Sequence, residues 1–244
     1  QGEGEVHANG SIRPMREVLA VAGLTPYALK AKEGLALVNG TSAMAGLFAV
    51  NLNHAKFLTQ WLELNTAWLC LALKGRTEAF GVLVNEFAKS SPGQAHMAGR
   101  IRQVLEQEGY RSKPLGDIRV EDSRTEEWVQ DRYSLRCVPQ IGGPVVETLA
   151  MLERWLTDEI NAASDNPLIG DGDALANGGN FYGGYMSQGM DYLKISLAHM
   201  ADLADRQTAY IIDEKSNRGL PANLANWPGL PEDERHLHHG LKGL

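Results

Sequence analysis

The feature that most constrains this fold is a helical pattern that runs without interruption over residues 42–74. No proline occurs in this stretch, and apolar side chains recur at steps of three and four residues. They include Met44, Leu47, Phe48, Leu52, Ala55, Leu58, Leu62, Leu69 and Leu73. A helix of this length extends roughly 45–50 Å at about 1.5 Å per residue, and such helices occur mostly in bundles. We therefore predict an all-α fold built from long bundled helices.

Other parts of the chain support this class. Residues 144–163 and 185–213 show the same period, so each predicts another long helix. Shorter helices are predicted over residues 14–22 and, as a pair, over residues 79–108. Long polar stretches predict loops, and six glycines in residues 170–184 predict tight turns. Strand signals are nearly absent.

Composition and charge exclude several classes of protein. With 43% apolar and 22% charged residues among 244, the sequence is typical of a globular protein rather than a disordered one. No run approaches the roughly 18 apolar residues of a membrane-spanning helix. A formal net charge of −7 argues against nucleic acid as a partner. Two cysteines far apart, Cys70 and Cys137, exclude a disulfide framework and predict a reducing, cytoplasmic compartment.

Four polar or glycine-rich segments lie at the ends of the predicted helices. The first is Asn-Gly-Thr at residues 39–41, just before the helix predicted over residues 42–74. A helix N-terminus exposes backbone N–H groups and favours an anion. The same residue types also serve as simple helix caps. This motif alone therefore leaves a binding role and a capping role open.

The second segment covers residues 130–137, where a long polar loop ends. Gln130, Tyr133 and Arg136 recur every three residues, so on a helical turn they would share one face. Arginine can bind a carboxylate through two parallel hydrogen bonds, and a tyrosine hydroxyl can donate a hydrogen bond or a proton. The alternative is a solvated helix face with a buried tyrosine.

The third and fourth segments are a helix stop and a glycine-rich turn. Ser-Asp-Asn-Pro at residues 164–167 fits the end of a helix followed by a turn. The glycines of residues 178–184 allow close approach of the backbone and would present Phe181 on a sharp turn, although such a stretch also serves as a connector. Its spacing and the lack of a preceding strand exclude a dinucleotide-binding fingerprint.

Two further patterns are poor metal sites. His236, His238 and His239 lie in a polar loop with no carboxylate partner in register. Asp-Gly-Asp at residues 171–173 lacks the downstream glutamate of a calcium loop. We therefore predict no metal.

Taken together and in this order, the four segments resemble the aromatic amino acid ammonia-lyase family, which comprises histidine, phenylalanine and tyrosine ammonia-lyases and the related aminomutases. The matching stretches are residues 33–41, 130–140, 164–168 and 178–183. The long helices between them also fit the family, so the resemblance covers essentially the whole chain.

This resemblance implies a fold of long bundled helices like that of fumarase and aspartase. It implies assembly as a homotetramer with active sites shared between subunits, and a small aromatic amino acid as the substrate. It also implies a methylidene-imidazolone, an electrophile formed by cyclisation of an internal Ala-Ser-Gly. That group captures the substrate and allows ammonia to be eliminated, which gives an α,β-unsaturated acid.

Carried over by position, the resemblance assigns two catalytic and four substrate-binding residues. The catalytic pair, Asn39 and Tyr133, would lie beside the electrophile. Arg136 would bind the substrate carboxylate, and Phe181 would pack against the prosthetic group or the substrate ring. The full set of substrate-binding residues is Gln130, Arg136, Asn166 and Phe181.

The chain also departs from the family pattern. No Ala-Ser-Gly occurs in residues 1–244, and Arg132 stands where many members have proline. In the family, the tripeptide and a tyrosine base lie upstream of the segment where this chain starts. We therefore expect residues 1–244 to be a central helical domain fragment that lacks the electrophile-bearing N-terminal part and the C-terminal part. The isolated fragment is predicted to be inactive.

Several activities stay open within this resemblance. The favoured one is an ammonia-lyase acting on phenylalanine or tyrosine, because residues 39–44 resemble that branch more than the histidine branch. An aminomutase, which re-adds ammonia to give a β-amino acid, is the alternative. Less favoured are a histidine ammonia-lyase and a non-catalytic helical scaffold. The joint presence of Asn39, Tyr133 and Arg136 argues against a scaffold, because packing alone does not require them.

Overall fold

The computed structural model describes residues 2–119, 121, 128–225, 229 and 231, and these residues form a mostly helical fold. The helices are α1 (Met15–Val21), α2 (Glu33–Asn39), α3 (Ser42–Ala72), α4 (Pro92–Gln107), α5 (Tyr133–Arg136), α6 (Val138–Ile160) and α7 (Gly184–Ile212). The strands are β1 (Glu5–Ala8), β2 (Ser11–Pro14), β3 (Leu168–Ile169) and β4 (Leu175–Ala176). The predicted all-α class is confirmed.

The chain divides into two compact units. The first combines Gln1–Met44 with Ile160–Gly183, and the second combines Ala45–Glu159 with Gly184–Leu244. The first unit holds the strands and the two short helices α1 and α2, whereas the second holds nearly all of the long helices.

The three predicted long helices are confirmed, and they supply most of the core of the second unit. One face of α3 buries Phe48, α6 buries Leu152 and α7 buries Leu193, each at most 1% exposed. Gly189 of α7 lies where these helices meet. A Cβ there would be 3.0 Å from the Phe48 ring and 3.1 Å from Leu152, so glycine permits the close approach of the three helices.

Helices α4 and α6 cross with their backbones almost in contact. A Cβ on Gly93 would lie 2.2 Å from the carbonyl oxygen of Gly143, and a Cβ on Gly143 would lie 2.7 Å from the backbone nitrogen of Gln94. Helix α6 begins at Val138, earlier than predicted, and it continues through Pro144. The proline lacks a backbone donor, which is why the sequence indicated a later start.

The pair of helices predicted over residues 79–108 is only half present. Helix α4 forms, but the preceding residues make a 3-10 turn at Thr77–Phe80 and a π-helical turn at Leu83–Phe87. The buried Asn85 side chain donates hydrogen bonds to the carbonyls of Ala79 and Gly81 at 2.9 and 3.0 Å. Such bonds compete with the regular helical ladder, so these residues do not continue as an α-helix.

Two short hairpins in the first unit were not predicted. In the β1–β2 hairpin Ala8 pairs with Ser11, and Asn9 and Gly10 form the turn with φ of 50° and 79°. An Asn-Gly pair with positive φ at both positions is typical of a tight hairpin turn. Strands β3 and β4 have two residues each. Strands of four and two residues are too short to show a clear alternating pattern.

Helix α3 carries a second apolar face, which is exposed in this chain. Leu47, Val50, Phe57, Trp61 and Trp68 are 42–67% exposed. Phe57 and Trp61 make an edge-to-face contact at 6.0 Å between ring centroids, and Trp61 and Trp68 make another at 6.4 Å. We call these five residues the exposed face of α3.

Within the described residues, no single helix is long and apolar enough to cross a membrane. In the same described ranges, α2 and α3 taken together reach the required length and composition, with a bend of 41° between them.

Candidate active site

Three of the four sequence motifs meet in the first unit. Asn39 is the last residue of α2, and its exposed side chain contributes to lowering the pKa of the Asp165 carboxyl. Lys32, just before α2, forms an ion pair with Asp165 at 3.1 Å. The backbone N–H of Asn166, followed by the Lys32 ammonium, holds the pKa of Asp165 below its usual value. The Asp165 carboxylate therefore ties the motif at residues 39–41 to the motif at residues 164–167.

Asn166 binds the glycine-rich turn rather than standing free. Its Nδ2 donates to the Gly178 carbonyl at 2.6 Å, and its Oδ1 accepts a hydrogen bond from the Gly178 N–H at 2.8 Å. Two residues further on, the Asn180 side chain donates to the Ala163 carbonyl at 3.1 Å. The turn that carries Phe181 is thus fastened at two points to the chain around Asn166.

The end of this turn packs against the segment after Asn39. Gly183 has a φ of 64°, and a Cβ there would lie 2.5 Å from the Met44 sulfur and 3.5 Å from Thr41. Only glycine combines this backbone conformation with this close approach. Phe181 lies in the 3-10 turn Asn180–Tyr182 and is 46% exposed. The first unit therefore brings together Asn39, Asn166 and Phe181.

The fourth motif forms a single helical turn in the second unit. Helix α5 comprises only Tyr133–Arg136. The Arg136 guanidinium stacks over the Tyr133 ring, 4.7 Å from its centroid, and Tyr133 is 71% exposed. The Nε of Arg136 is buried, and among the described residues it has no hydrogen-bond partner. Arg136 thus keeps an unused hydrogen-bond donor directly beside an exposed phenol.

Gln130 does not share the helical turn with the other two residues. It lies in a bend three residues before α5 begins, so the face predicted for Gln130, Tyr133 and Arg136 forms only in part. The turn itself is fixed from α7, because Gln207 donates to the Ser134 carbonyl at 3.1 Å and to the Thr66 hydroxyl at 2.9 Å.

Asp131 is a polar residue of this motif for which the sequence pattern predicts no role. Its side chain is fully buried, and it accepts hydrogen bonds from the backbone N–H of Arg76 and from the Arg218 guanidinium. Burial raises the pKa of Asp131, while the Arg76 N–H and the Arg218 guanidinium oppose that rise. Burial and then the Asp131 carboxylate raise the pKa of the neighbouring Cys70 thiol to about 12.

Metal ligands do not gather in the described ranges. Among those residues no group of three or more His, Cys, Asp or Glu side chains is placed to hold a metal ion. The three histidines considered above, His236, His238 and His239, lie outside the described residues.

Comparison with known proteins gives the chain a clear set of relatives. A family model described as "aromatic amino acid lyase" matches residues 1–244. Tyrosine 2,3-aminomutase of Myxococcus sp. (strain Mx-B0) is 40% identical over an alignment of 235 residues that covers 92% of this chain and 44% of that protein. Histidine ammonia-lyase of Geobacillus thermodenitrificans (strain NG80-2) is 37% identical over 229 residues, which are 94% of this chain and 43% of that protein.

The same family is found among solved structures. The crystal structure of tyrosine aminomutase from Streptomyces globisporus matches with a TM-score of 0.87 and 32% sequence identity, covering 99% of this chain and 48% of that one. The chain spans less than half the length of each of these relatives.

Proposed function

Because the chain belongs to the aromatic amino acid lyase family, whose members are enzymes, we propose that it forms the central part of an enzyme that eliminates ammonia from phenylalanine or tyrosine. The product is an α,β-unsaturated aryl acid. The single observation that carries this proposal is the buried Nε of Arg136, which lies beside the exposed Tyr133 ring and has no hydrogen-bond partner within the described part of the chain.

Arg136 is suited to bind the substrate carboxylate. A buried donor without a partner costs free energy unless a ligand satisfies it, and a guanidinium can hold a carboxylate through two parallel hydrogen bonds. The Tyr133 ring lies under the guanidinium at 4.7 Å, which restricts the orientation of that group. The substrate would therefore be held by its carboxylate in a fixed position, as elimination from an unactivated carbon requires.

The residues present also fit the methylidene-imidazolone that the family uses, although Ala-Ser-Gly does not occur in residues 1–244. The Asn39 amide and the Tyr133 hydroxyl are exposed donors of the kind that polarises a carbonyl. When present, the group supplies the electrophile that the twenty side chains lack. The resemblance assigns Asn39 of the first unit and Tyr133 of the second to this group, and it assigns Gln130 to substrate binding.

The other two assigned residues, Phe181 and Asn166, are proposed to contact the substrate. Phe181 is half exposed on a fastened turn, so its ring can pack against the aromatic part of the ligand. The resemblance assigns Asn166 to substrate binding, and its amide already holds the Gly178 backbone. A carboxylate only accepts hydrogen bonds, so any contact of Asn166 with it has to use the second N–H of Nδ2.

An aminomutase is the second candidate, and a specific observation favours it. The tyrosine 2,3-aminomutase of Myxococcus is 40% identical to this chain, and tyrosine aminomutase of Streptomyces globisporus shares its fold at a TM-score of 0.87. A histidine ammonia-lyase relative at 37% identity keeps histidine among the substrates to be tested.

We also infer a homotetramer with shared active sites, located in the cytoplasm. The exposed face of α3 supports assembly, because a helix that is apolar on two faces is typically buried on both. Cys70 and Cys137 are both free thiols, which agrees with a reducing compartment.

The test is product analysis with the purified full-length protein. It would be incubated separately with phenylalanine, tyrosine and histidine, with detection of the unsaturated acid by ultraviolet absorbance and of β-amino acids by chromatography. An unsaturated aryl acid from phenylalanine or tyrosine supports the lyase, and a β-amino acid supports the mutase. Urocanate from histidine alone would overturn the substrate assignment, and no turnover of any of the three would favour a scaffold.

A further inference from the structure

The segment that leads into α5 is anchored by one buried carboxylate. The two oxygens of Asp131 take different partners. Oδ2 accepts a hydrogen bond from the Arg76 N–H at 2.5 Å, and Oδ1 accepts one from Nη2 of Arg218 at 3.1 Å. The Asp131 side chain is fully buried and the Arg218 side chain is 10% exposed. Asp131 lies two residues before Tyr133, yet none of the roles assigned above uses it.

We call residues 128–132 the approach segment. Besides Asp131, two cation–π contacts hold this segment, one before Asp131 and one after it. The Arg218 guanidinium stacks on the Trp128 ring at 4.9 Å, and the Arg132 guanidinium stacks on the Tyr210 ring at 5.3 Å. Arg218 therefore contacts the approach segment twice, once through Asp131 and once through Trp128. Among these contacts, only those of Asp131 are charge-assisted hydrogen bonds in a fully buried site, and such bonds are the strongest of the kinds present.

The surface that receives Asp131 is the turn at the end of α3. Arg218 Nη1 donates to the Lys74 carbonyl at 2.6 Å, and the Tyr110 hydroxyl donates to the Gly75 carbonyl at 2.8 Å. A Cβ on Gly75 would lie 2.8 Å from the Leu135 side chain and 3.3 Å from Asp131 Oδ2. Glycine at position 75 thus lets both the approach segment and α5 lie directly against this turn.

From this geometry we propose that Asp131 is a positioning residue. It fixes the backbone of the approach segment against the end of α3 and thereby sets the positions of Tyr133 and Arg136. The inference rests on the proposed function, because it gives Asp131 a role only if Tyr133 and Arg136 act on the substrate. Asp131 itself touches neither substrate nor prosthetic group.

Replacing Asp131 by asparagine tests this role with little change in size. Both carboxylate oxygens of Asp131 accept hydrogen bonds, one from the Arg76 N–H and one from Arg218. Asparagine has only one acceptor oxygen, so its NH₂ group would face the other donor. The approach segment should then shift, and displacements of about 1 Å in a catalytic site can cost about 100-fold in rate. In the full-length protein we expect kcat/KM of Asp131→Asn to fall by about 100-fold, with KM raised and kcat lowered because Arg136 and Tyr133 both move.

Two comparisons separate positioning from a general loss of structure. Glu63→Gln is the matched control, because Glu63 is another buried carboxylate of the second unit, with 6% of its side chain exposed. It should leave kcat/KM unchanged. The second comparison is a double-mutant cycle: in an Arg136→Ala background, Asp131→Asn should cost much less than it does in the wild type, since the group it positions is gone.

Each result has a defined meaning. If Arg136→Ala is as active as the wild type, the proposed function fails. If Arg136→Ala is impaired while Asp131→Asn is fully active, the positioning role alone is overturned. The positioning role is also overturned if the fold-losses in kcat/KM of the two single variants multiply in the double variant. An equal loss of kcat/KM in Glu63→Gln overturns it as well. Should Asp131→Asn fail to fold, Arg218→Met removes the Oδ1 partner instead, and the same cycle with Arg136→Ala applies.

Discussion

At the scale of single residues, Arg136 gives the most direct prediction. Arg136→Ala in the full-length protein removes the proposed carboxylate clamp and should cost roughly 2–5 kcal/mol of transition-state stabilisation, as for a buried charge-assisted pair. Arg136→Lys should recover little, because an ammonium lacks the planar fork. The measurement is kcat/KM with the aromatic amino acid.

The control for this prediction is Arg154→Ala. Arg154 is an exposed arginine on α6, so its loss removes the same charge without touching the proposed clamp. Both variants should fold and keep the absorbance of the prosthetic group. An unchanged kcat/KM in Arg136→Ala would contradict the assignment.

Glu63 gives a prediction on the pH dependence of stability. Burial raises the pKa of Glu63 above its usual value of 4.5, and His96 and then Arg100 oppose the rise. A carboxyl with a raised pKa contributes stability that is fully present below the unfolded-state value and is lost as the pH rises through the folded-state pKa. Relative to Glu63→Gln, the wild type should therefore lose stability as the pH rises from below to above the usual value of 4.5. Urea unfolding of both proteins across this range measures it, and a trend in the opposite direction would contradict it.

Single residues also show where sequence patterns stop being informative. The residues from Gln130 to Arg136 stand out as a motif, but the partners of Asp131 do not. Arg76 and Arg218 lie 55 and 87 positions away in the sequence, and neither periodicity nor spacing reports such contacts. The sequence therefore identified Asp131 only as one residue of the motif and did not predict its burial or its partners.

At the scale of elements, the crossing of α4 and α6 predicts opposite effects for two glycines on one helix. A Cβ on Gly93 would lie 2.2 Å from the Gly143 carbonyl oxygen, whereas a Cβ on Gly99 would meet only the flexible end of Arg102 at 3.9 Å. Gly93→Ala should cost roughly 1–3 kcal/mol through overpacking. Gly99→Ala should stabilise the protein by up to about 1 kcal/mol through helix propensity.

Thermal or denaturant unfolding of the two variants checks this pair of predictions. The two proteins differ by one methyl group at different points of the same helix, so each serves as the control for the other. Equal changes of the same sign in both would show that the closeness of the α4–α6 crossing does not govern stability there.

The long helices could be predicted because their evidence lies in neighbouring residues. A period of three to four over some thirty residues is unambiguous, and α3 and α7 end within two residues of the predicted limits. The elements that the sequence did not predict depend on fewer residues. The π-helical turn rests on one buried asparagine. The Asn-Gly turn of the β1–β2 hairpin was available in the sequence, but only four residues flank it on each side.

At the scale of the whole molecule, the exposed face of α3 predicts the assembly state. The apolar residues of α3 divide between a buried face that includes Phe48 and Leu52 and the exposed face that includes Phe57 and Trp61. The sequence period alone did not separate these faces. If the exposed face lies between subunits, Trp61→Lys in the full-length protein should lower the mass measured by sedimentation, because a buried unpaired charge is costly.

The matched control is Asn53→Lys, which adds the same charge at an exposed polar position of the same helix. It should leave the mass unchanged. A wild-type protein that sediments as a monomer, or a Trp61→Lys variant that keeps its mass, would contradict assembly through this face.

The last prediction concerns residues 1–244 taken alone. The proposed reaction uses an electrophile built from an internal Ala-Ser-Gly, which the ordinary side chains do not supply, and this tripeptide does not occur in residues 1–244. The proposed binding residues do not replace this electrophile, because binding without it leaves the chemical barrier in place. The isolated chain should therefore have neither lyase nor mutase activity, while its helices can still form, because the core of the second unit is built within it.

Expression of residues 1–244 alone tests this directly. The chain would be incubated with phenylalanine, tyrosine and histidine in turn, with absorbance of the unsaturated acid as the readout. The full-length protein under the same conditions is the positive control, and circular dichroism shows whether the helices are retained. Activity that returns when the separately expressed remainder of the protein is added would locate the missing chemistry in that remainder. Turnover by the pure chain, free of full-length contaminant, would mean that the electrophile and the base lie within these 244 residues, and the roles proposed for Asn39 and Tyr133 would then have to be revised.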